Sequence, residues 1–212
     1  YTQILTYIVH SGKMLVMKVF ISILILIFSF QSLTKADDIR DFEIEGMSVG
    51  HSLLEFIDKN QVEKIRKQYN YPNKEIYILV IESNNLKLNI YDFIQVDIKH
   101  NDPDYKIVSL SGYLKFGKNI NECQKKKNQI DNDIKLAFEN LSVESYNKKH
   151  RADKTKKSIN YITEFNFKSG DSIVTICEDW SNYMETEGYS DGLRVGIVTK
   201  KFYDWISNEA YK

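Results

Sequence analysis

Apolar residues follow a two-residue period over three successive stretches of the chain. EIYILVIE (75–82) is nearly continuous in apolar residues and predicts a central strand. LKLNIYDFIQVDIKH (86–100) puts Leu88, Ile90, Ile94, Val96 and Ile98 on one face, with Asp92 breaking the row. YKIVSLSGYLKF (105–116) aligns Val108, Leu110, Gly112, Leu114 and Phe116. Asn84-Asn85 and the NDPD of 101–104 supply turns. Connections this short predict an antiparallel meander.

The period then changes. Cys123, Ile130, Ile134, Ala137, Phe138 and Leu141 recur at helical spacing over 119–142. SINYITEFNFK (158–168) and DSIVTICEDW (171–180) alternate again and join through Ser169-Gly170 as a hairpin. GLRVGIVTK (192–200) predicts one more strand, and Phe202, Trp205 and Ile206 a short final helix. Upstream, Phe42 and Ile44 alternate with acids as a short strand, and Gly46 marks a turn. Ser52 with Glu55, and Asn60 with Glu63, have capping-box spacing and predict two short helices, or one broken helix, over 52–67. Residues 144–157 (ESYNKKHRADKTKK) are polar throughout and predict a loop. The expected fold is α+β: an antiparallel sheet of about six to seven strands in helix-βββ-helix-βββ order, with the 119–142 helix packed on one face. Tandem α-βββ order resembles secreted β-lactamase-inhibitor-like proteins. Helices followed by a short antiparallel sheet resemble small outer-membrane assembly factors. Both resemblances are of element order and imply no activity.

The greasiest stretch lies outside this pattern. Met17 and Lys18 precede VFISILILIFSF (19–30), and QSLTKA follows, with Thr34 and Ala36 at small-residue positions. This is the layout of a secretory signal peptide over 17–36, with cleavage expected after Ala36. The run is shorter than the roughly 20 apolar residues that span a bilayer, so no stable membrane insertion is expected after cleavage. Residues 1–16 read as upstream translation. The mature chain is then 37–212, a single α+β domain, periplasmic or secreted.

Export alters the charge and the cysteines. The whole chain balances 29 basic against 29 acidic side chains, but 1–36 holds three lysines and no acid, so 37–212 carries a net of −3. Nothing in that balance points to nucleic acid. Cys123 and Cys177 are the only cysteines, and an even count in an exported chain favours a disulfide. A helix stripe facing a strand can bring them together. The closed loop would stabilise by roughly 4 kcal/mol in the chain-entropy model.

Candidate chemistry is sparse. No G-x-S-x-G, H-E-x-x-H, C-x-x-C or Gly-rich dinucleotide motif is present. No cofactor, metal or catalytic residue is therefore assigned. His100, Asp102 and Asp104 offer three metal-ligating side chains, but Asn, Asp and Pro at 101–104 are also what a turn demands. Asp92 is either a buried carboxylate with a raised pKa or a residue that a bulge turns outward. Asp97 alternates normally with other polar groups. Lys148, Lys149, Arg151 and Lys154 form a basic stretch suited to an anionic surface. Trp180 belongs to a late aromatic group with Tyr183, Tyr189 and Trp205, a composition favoured at binding patches.

DFEIEGMSVGHSLLEFI, DYKIVSLSGYLKF and the pairing of NECQKKK with VTICEDWS resemble exported proteins of streamlined, AT-rich marine bacteria. The resemblance spans most of 37–206. It implies export and one domain, brings no assigned activity and transfers no catalytic residue. The function expected is an exported soluble periplasmic binding or protein-interaction module, with an envelope protein or anionic surface as partner. The alternative is a periplasmic hydrolase that uses His51 or His100 with Asp92 or Asp102.

Overall fold

The alternating stretches do pair as meanders, but each half of the chain carries one strand more than its pattern predicts. The computed structural model describes residues 37–212 except Arg66 and Asn70, so the expectations for 1–36 lie outside the described residues. The first half runs α1 (Lys59–Lys64), β1 (Lys67–Gln68), β2 (Ile76–Glu82), β3 (Phe93–Lys99) and β4 (Ile107–Gly117). The second runs α2 (Ile120–Ala137), β5 (Ser142–Lys149), β6 (Ile159–Asn166), β7 (Ser172–Asp179), α3 (Asn182–Thr186), β8 (Asp191–Val198) and α4 (Lys200–Asn208). Among the described residues the eight strands make one antiparallel sheet, ordered β1-β2-β3-β4-β8-β7-β6-β5. The two meanders meet where β4 pairs with β8, Tyr113 opposite Arg194.

The differences from the expected pattern have physical causes. β5 occupies what reads as a polar loop. It is an edge strand with every residue exposed, so neither of its faces needs apolar side chains and no alternation is written into it. β1 is a two-residue strand on the opposite edge, which leaves β2 second from that edge rather than central. β3 begins only at Phe93, because Glu45 draws the preceding chain away from the ladder. Its Oε1 accepts from the backbone N–H of Ile90 (2.7 Å) and Tyr91 (3.0 Å), and its Oε2 from that of Asn89 (2.9 Å). Near the N-terminus, Phe42 starts no strand, and Ile44 makes only an isolated bridge to Met47. The Ser52–Glu55 capping box does form, on a 3-10 turn over Leu53–Glu55. α1 is capped by Asp58 rather than Asn60.

One face of the sheet holds the main core. Tyr77, Leu79, Ile81, Ile94, Val96, Ile98, Leu110, Phe165, Ile173 and Ile197 pack there against Ile44, Met47, Leu53, Ile57 and Val62 of the N-terminal segment and Ile134 of α2. α2 lies over β7, β8 and β4. Its first buried residue is Cys123, disulfide-bonded to Cys177 of β7, with Cα atoms 5.9 Å apart and a sequence separation of 54. The bridge is packed by Leu193 and Val195.

Gly112 sits in the core row of β4 beneath the ring of Tyr91. A Cβ at that position would lie 2.6 Å from Tyr91 Cδ1. Gly112→Ala is therefore expected to destabilise by about 1–3 kcal/mol, the usual cost of overpacking. Urea denaturation reads this directly. A loss below roughly 0.5 kcal/mol would mean that the ring is not pinned on the glycine.

Candidate functional site

Three polar constellations can be built from this scaffold. The first is a cavity of about 510 Å³ at the end of the sheet where β2 and β4 begin and β3 and β8 finish. Two segments form it. The N-terminal segment is laced to β4, with Gly50 N–H donating to Ile107 O (2.8 Å) and Ile107 N–H to His51 O (3.0 Å). On the other side α4 starts at its cap, Thr199, and buries Phe202 and Trp205 against Ile76, Val108 and Val198. Trp205 Nε1–H donates to Glu75 (3.0 Å), which fixes the helix to β2.

The cavity wall is apolar, from Ile39, Val49, Ile76, Ile107, Val108 and Phe202. Its rim carries Arg40, Lys99, Lys106 and Lys201 with the acids Asp38, Glu75 and Asp171. Each acid is already engaged. Hydrogen bonds from Arg40 hold the Asp38 carboxyl down at about 2. Glu75 takes Lys99 (3.0 Å) as well as Trp205. Asp171 accepts from the Lys200 N–H (2.7 Å) and from the Ser169 hydroxyl (2.7 Å). The same pairs occupy most of the cations: Arg40 is held by Asp38, Lys99 by Glu75, and Lys106 lies 3.5 Å from Asp104, so Lys201 is the rim cation with no ion pair among the described residues.

The second constellation lies on the opposite face of the sheet. Asp97 is 8% exposed, and its Oδ1 has no hydrogen-bond partner. Burial pushes its carboxyl up to about 7, against the Ser109 hydroxyl bond and the attraction of Arg194. Arg194 reaches over the Tyr113 ring (6.0 Å) and towards Glu178 (3.8 Å). Tyr113 O–H donates to Gln95 (2.9 Å), and its ring stacks on Phe93 at 4.6 Å. Alternation does aim Asp97 away from the main core. That face is not open to water at this end, however, because Tyr71, Trp205 and Ile206 pack there with Ile76 and Val198.

The third is a polar cluster under α2. Lys127 Nζ donates to Asp131 Oδ2 (2.7 Å) and Thr163 Oγ1 (2.5 Å), and the Thr175 hydroxyl donates to Asp131 Oδ1 (2.5 Å). The two charged side chains are only 8% and 9% exposed. Helical spacing from Cys123 points to 127 and 131, but a lysine and an aspartate there read as solvent-facing.

The residues singled out from sequence fall elsewhere. Lys148 and Lys149 are neighbours on β5 and so point to opposite faces of the sheet. Arg151 and Lys154 lie in the 150–158 loop, which is organised from within. Burial disfavours the charge on Asp153 at its centre, but hydrogen bonds from Thr155 and Ser158 outweigh it and hold the carboxyl well below its usual range. Trp180 is 7% exposed, packed against His150 (4.1 Å) and Tyr189 (4.5 Å), and so fastens this loop rather than presenting a surface.

Asp92 is exposed, and its carboxylate accepts the Lys115 N–H (2.7 Å), so the carboxylate buried in β3 is Asp97 instead. Asp92 and His100 stand at opposite ends of β3, about 25 Å apart at the rise of an extended strand. His100 bonds Tyr69 O–H (2.8 Å), whereas His51 accepts the Ser48 N–H (3.3 Å) and stacks on Phe56. Asp102 accepts the N–H groups of Asp104 (3.0 Å) and Lys106 (3.1 Å), as a turn residue does. Among the described residues no group of three or more His, Cys, Asp and Glu side chains is placed to hold a metal ion. No helix among them is long and apolar enough to cross a membrane. Comparison with family models, with curated proteins and with solved structures finds no match to the chain.

Proposed function

We propose that the chain is an exported periplasmic binding module whose terminal cavity takes a ligand with an apolar body and one anionic group. One observation carries this reading: a cavity of about 510 Å³ whose walls are aliphatic and aromatic and whose rim holds Lys201, in no ion pair among the described residues, beside Arg40, Lys99 and Lys106, each of which has an acid within ion-pair distance. Ligand sites have this make-up, a mostly apolar lining with a few placed polar groups. The disulfide supports an oxidising compartment, where such bonds persist. The anionic partner expected for the 148–154 stretch moves to this rim. Those four basic residues do not share one surface, while Lys106 and Lys201 face one pocket.

The probe of choice is 1-anilinonaphthalene-8-sulfonate, an aromatic body with one sulfonate, titrated into protein purified from cells expressing the full chain. Saturable one-to-one fluorescence enhancement is expected. Val108→Trp should fill the pocket and weaken binding at least tenfold. Lys201→Glu should weaken it about fivefold, the worth of one exposed charge contact near 1 kcal/mol. An unchanged urea melt for each variant excludes dye uptake by unfolded chains. Non-saturable binding, or an affinity indifferent to Val108→Trp, overturns the reading.

A further inference from the structure

The outer edge of β5 is the longest unpaired strand edge among the described residues. Ser142–Lys149 pairs along its whole length with β6 on one side and, among the described residues, with no strand on the other. All eight of its residues are exposed, including Val143 and Tyr146 at 39% and 40%. Such an edge is a template for another strand. Its charges are also unspent: no ion pair among the described residues involves Glu144, Lys148 or Lys149. Glu144 is worse placed than that, since it lies directly opposite Glu164 of β6. Like charges so paired destabilise a ladder.

We infer that β5 pairs antiparallel with β5 of a second copy of this chain, with Tyr146 facing Tyr146 across the two-fold axis. The register follows from geometry. A two-fold axis normal to the sheet keeps each face on its own side, and directly opposite residues share a face. Only residues separated by an even number can therefore face each other across the joint. With Tyr146 on the axis, Glu144 of each copy meets Lys148 of the other, twice. Centring on Glu144 or on Lys148 sets like charges against each other, and centring on Ser145 or Asn147 leaves Glu144 without a cation. The favoured register gives Glu144 the positive neighbour that its own chain lacks and closes both edges at once. The joint is isologous, so assembly stops at two.

Sedimentation equilibrium of protein purified from cells expressing the full chain should show a dimer at micromolar concentration. Glu144→Lys and Lys148→Glu should each weaken association at least tenfold, and the double reversal E144K/K148E should recover it to within about threefold. Both side chains are exposed, so folding is retained, and far-UV circular dichroism checks this. Register is tested separately. Tyr146→Cys should form an intermolecular disulfide under air oxidation, because directly opposite Cβ atoms lie about 4.5–5.5 Å apart. Asn147→Cys, which faces Ser145, should not. A chain that stays monomeric to millimolar concentration overturns the proposal. So does a dimer indifferent to both charge reversals, or one that cross-links at 147 and not at 146.

Discussion

Lys127→Met is expected to lower the folding free energy by about 3–5 kcal/mol, the cost of removing one partner from a buried ion pair. The loss does not come from the salt bridge as an attraction. Lys127 and Asp131 are buried on the core side of α2, and their hydrogen bonds run to Thr163 and Thr175 on two adjacent strands. Taking the ammonium away leaves the Asp131 carboxylate buried with Thr175 as its remaining donor of those two. The complementary change, Asp131→Leu, should cost a similar amount, because it strands the ammonium. The double variant K127M/D131L should then recover most of the loss, since apolar replacements of buried pairs are often neutral. A double-mutant cycle in urea at pH 7 separates these outcomes. In a chain of this size the single changes should appear as a fall of roughly 10 °C in Tm. A single-variant loss below about 1 kcal/mol would show that water reaches the pair.

What the sequence disclosed and what it hid divide along one line. Where one face of an element is buried in a continuous core and the other meets water, the period is plain. β2, β4, β6, β7, β8 and the helix that begins after Asn119 stand close to where their apolar spacing sets them. The disulfide was legible too, because Cys123 heads the helical stripe and Cys177 falls on an inward strand position. Elements that bury nothing carried no signal. β5 is a strand because β6 supplies hydrogen bonds along its whole length, a property of its neighbour rather than of SVESYNKK. The opposite case is Asp97, which reads as one of the alternating polar groups, and Lys127 and Asp131, which drew no reading at all. Polar residues are assigned to solvent by default, and only the third dimension shows that a roof lies over them.

The cavity was hidden for a related reason. Its lining comes from 38–40, 49–50, 75–76, 99, 106–108, 171, 199, 201–202 and 205, so no local window of sequence contains it. Ile76, Val108 and Phe202 of its wall were visible as apolar positions of strands and of a short helix, whereas Ile39, Val49 and Ile107 drew no reading. That they leave space between them depends on how α4 meets the N-terminal segment, which no spacing rule describes. The histidines illustrate the converse. His51 and His100 drew attention because their side chains can do chemistry, yet each is occupied by its nearest neighbours. In this fold the site-forming residues are ordinary Ile, Val, Phe and Lys, and their arrangement carries the function proposed.

Asp97 should make the protein less stable as the pH rises from about 4 to about 7, and Asp97→Asn should abolish that loss. The sign follows from linkage. The carboxyl has an ordinary value of 3.8 in the unfolded chain and about 7 in the fold, so the folded state holds the proton more tightly. Its penalty is absent below about pH 4, grows between pH 4 and 7, and is constant above that. A shift of about three units corresponds to an upper bound near 4 kcal/mol at 1.36 kcal/mol per unit. Asp97→Asn is therefore expected to match the parent within about 1 kcal/mol at pH 4 and to exceed it by about 2–4 kcal/mol at pH 8.5. The groups facing Asp97 decide how much of that bound is realised. Ser109 on β4 and Arg194 on β8 favour the anion, while Tyr71 and Tyr113, neutral at these pH values, do not oppose it. Arg194→Leu should raise the carboxyl further and shift the window upward. Urea denaturation of the three proteins from pH 4 to 8.5 tests the whole argument. If parent and Asp97→Asn keep parallel stability curves across that range, the carboxylate is ionised at little cost and water or a cation reaches Oδ1.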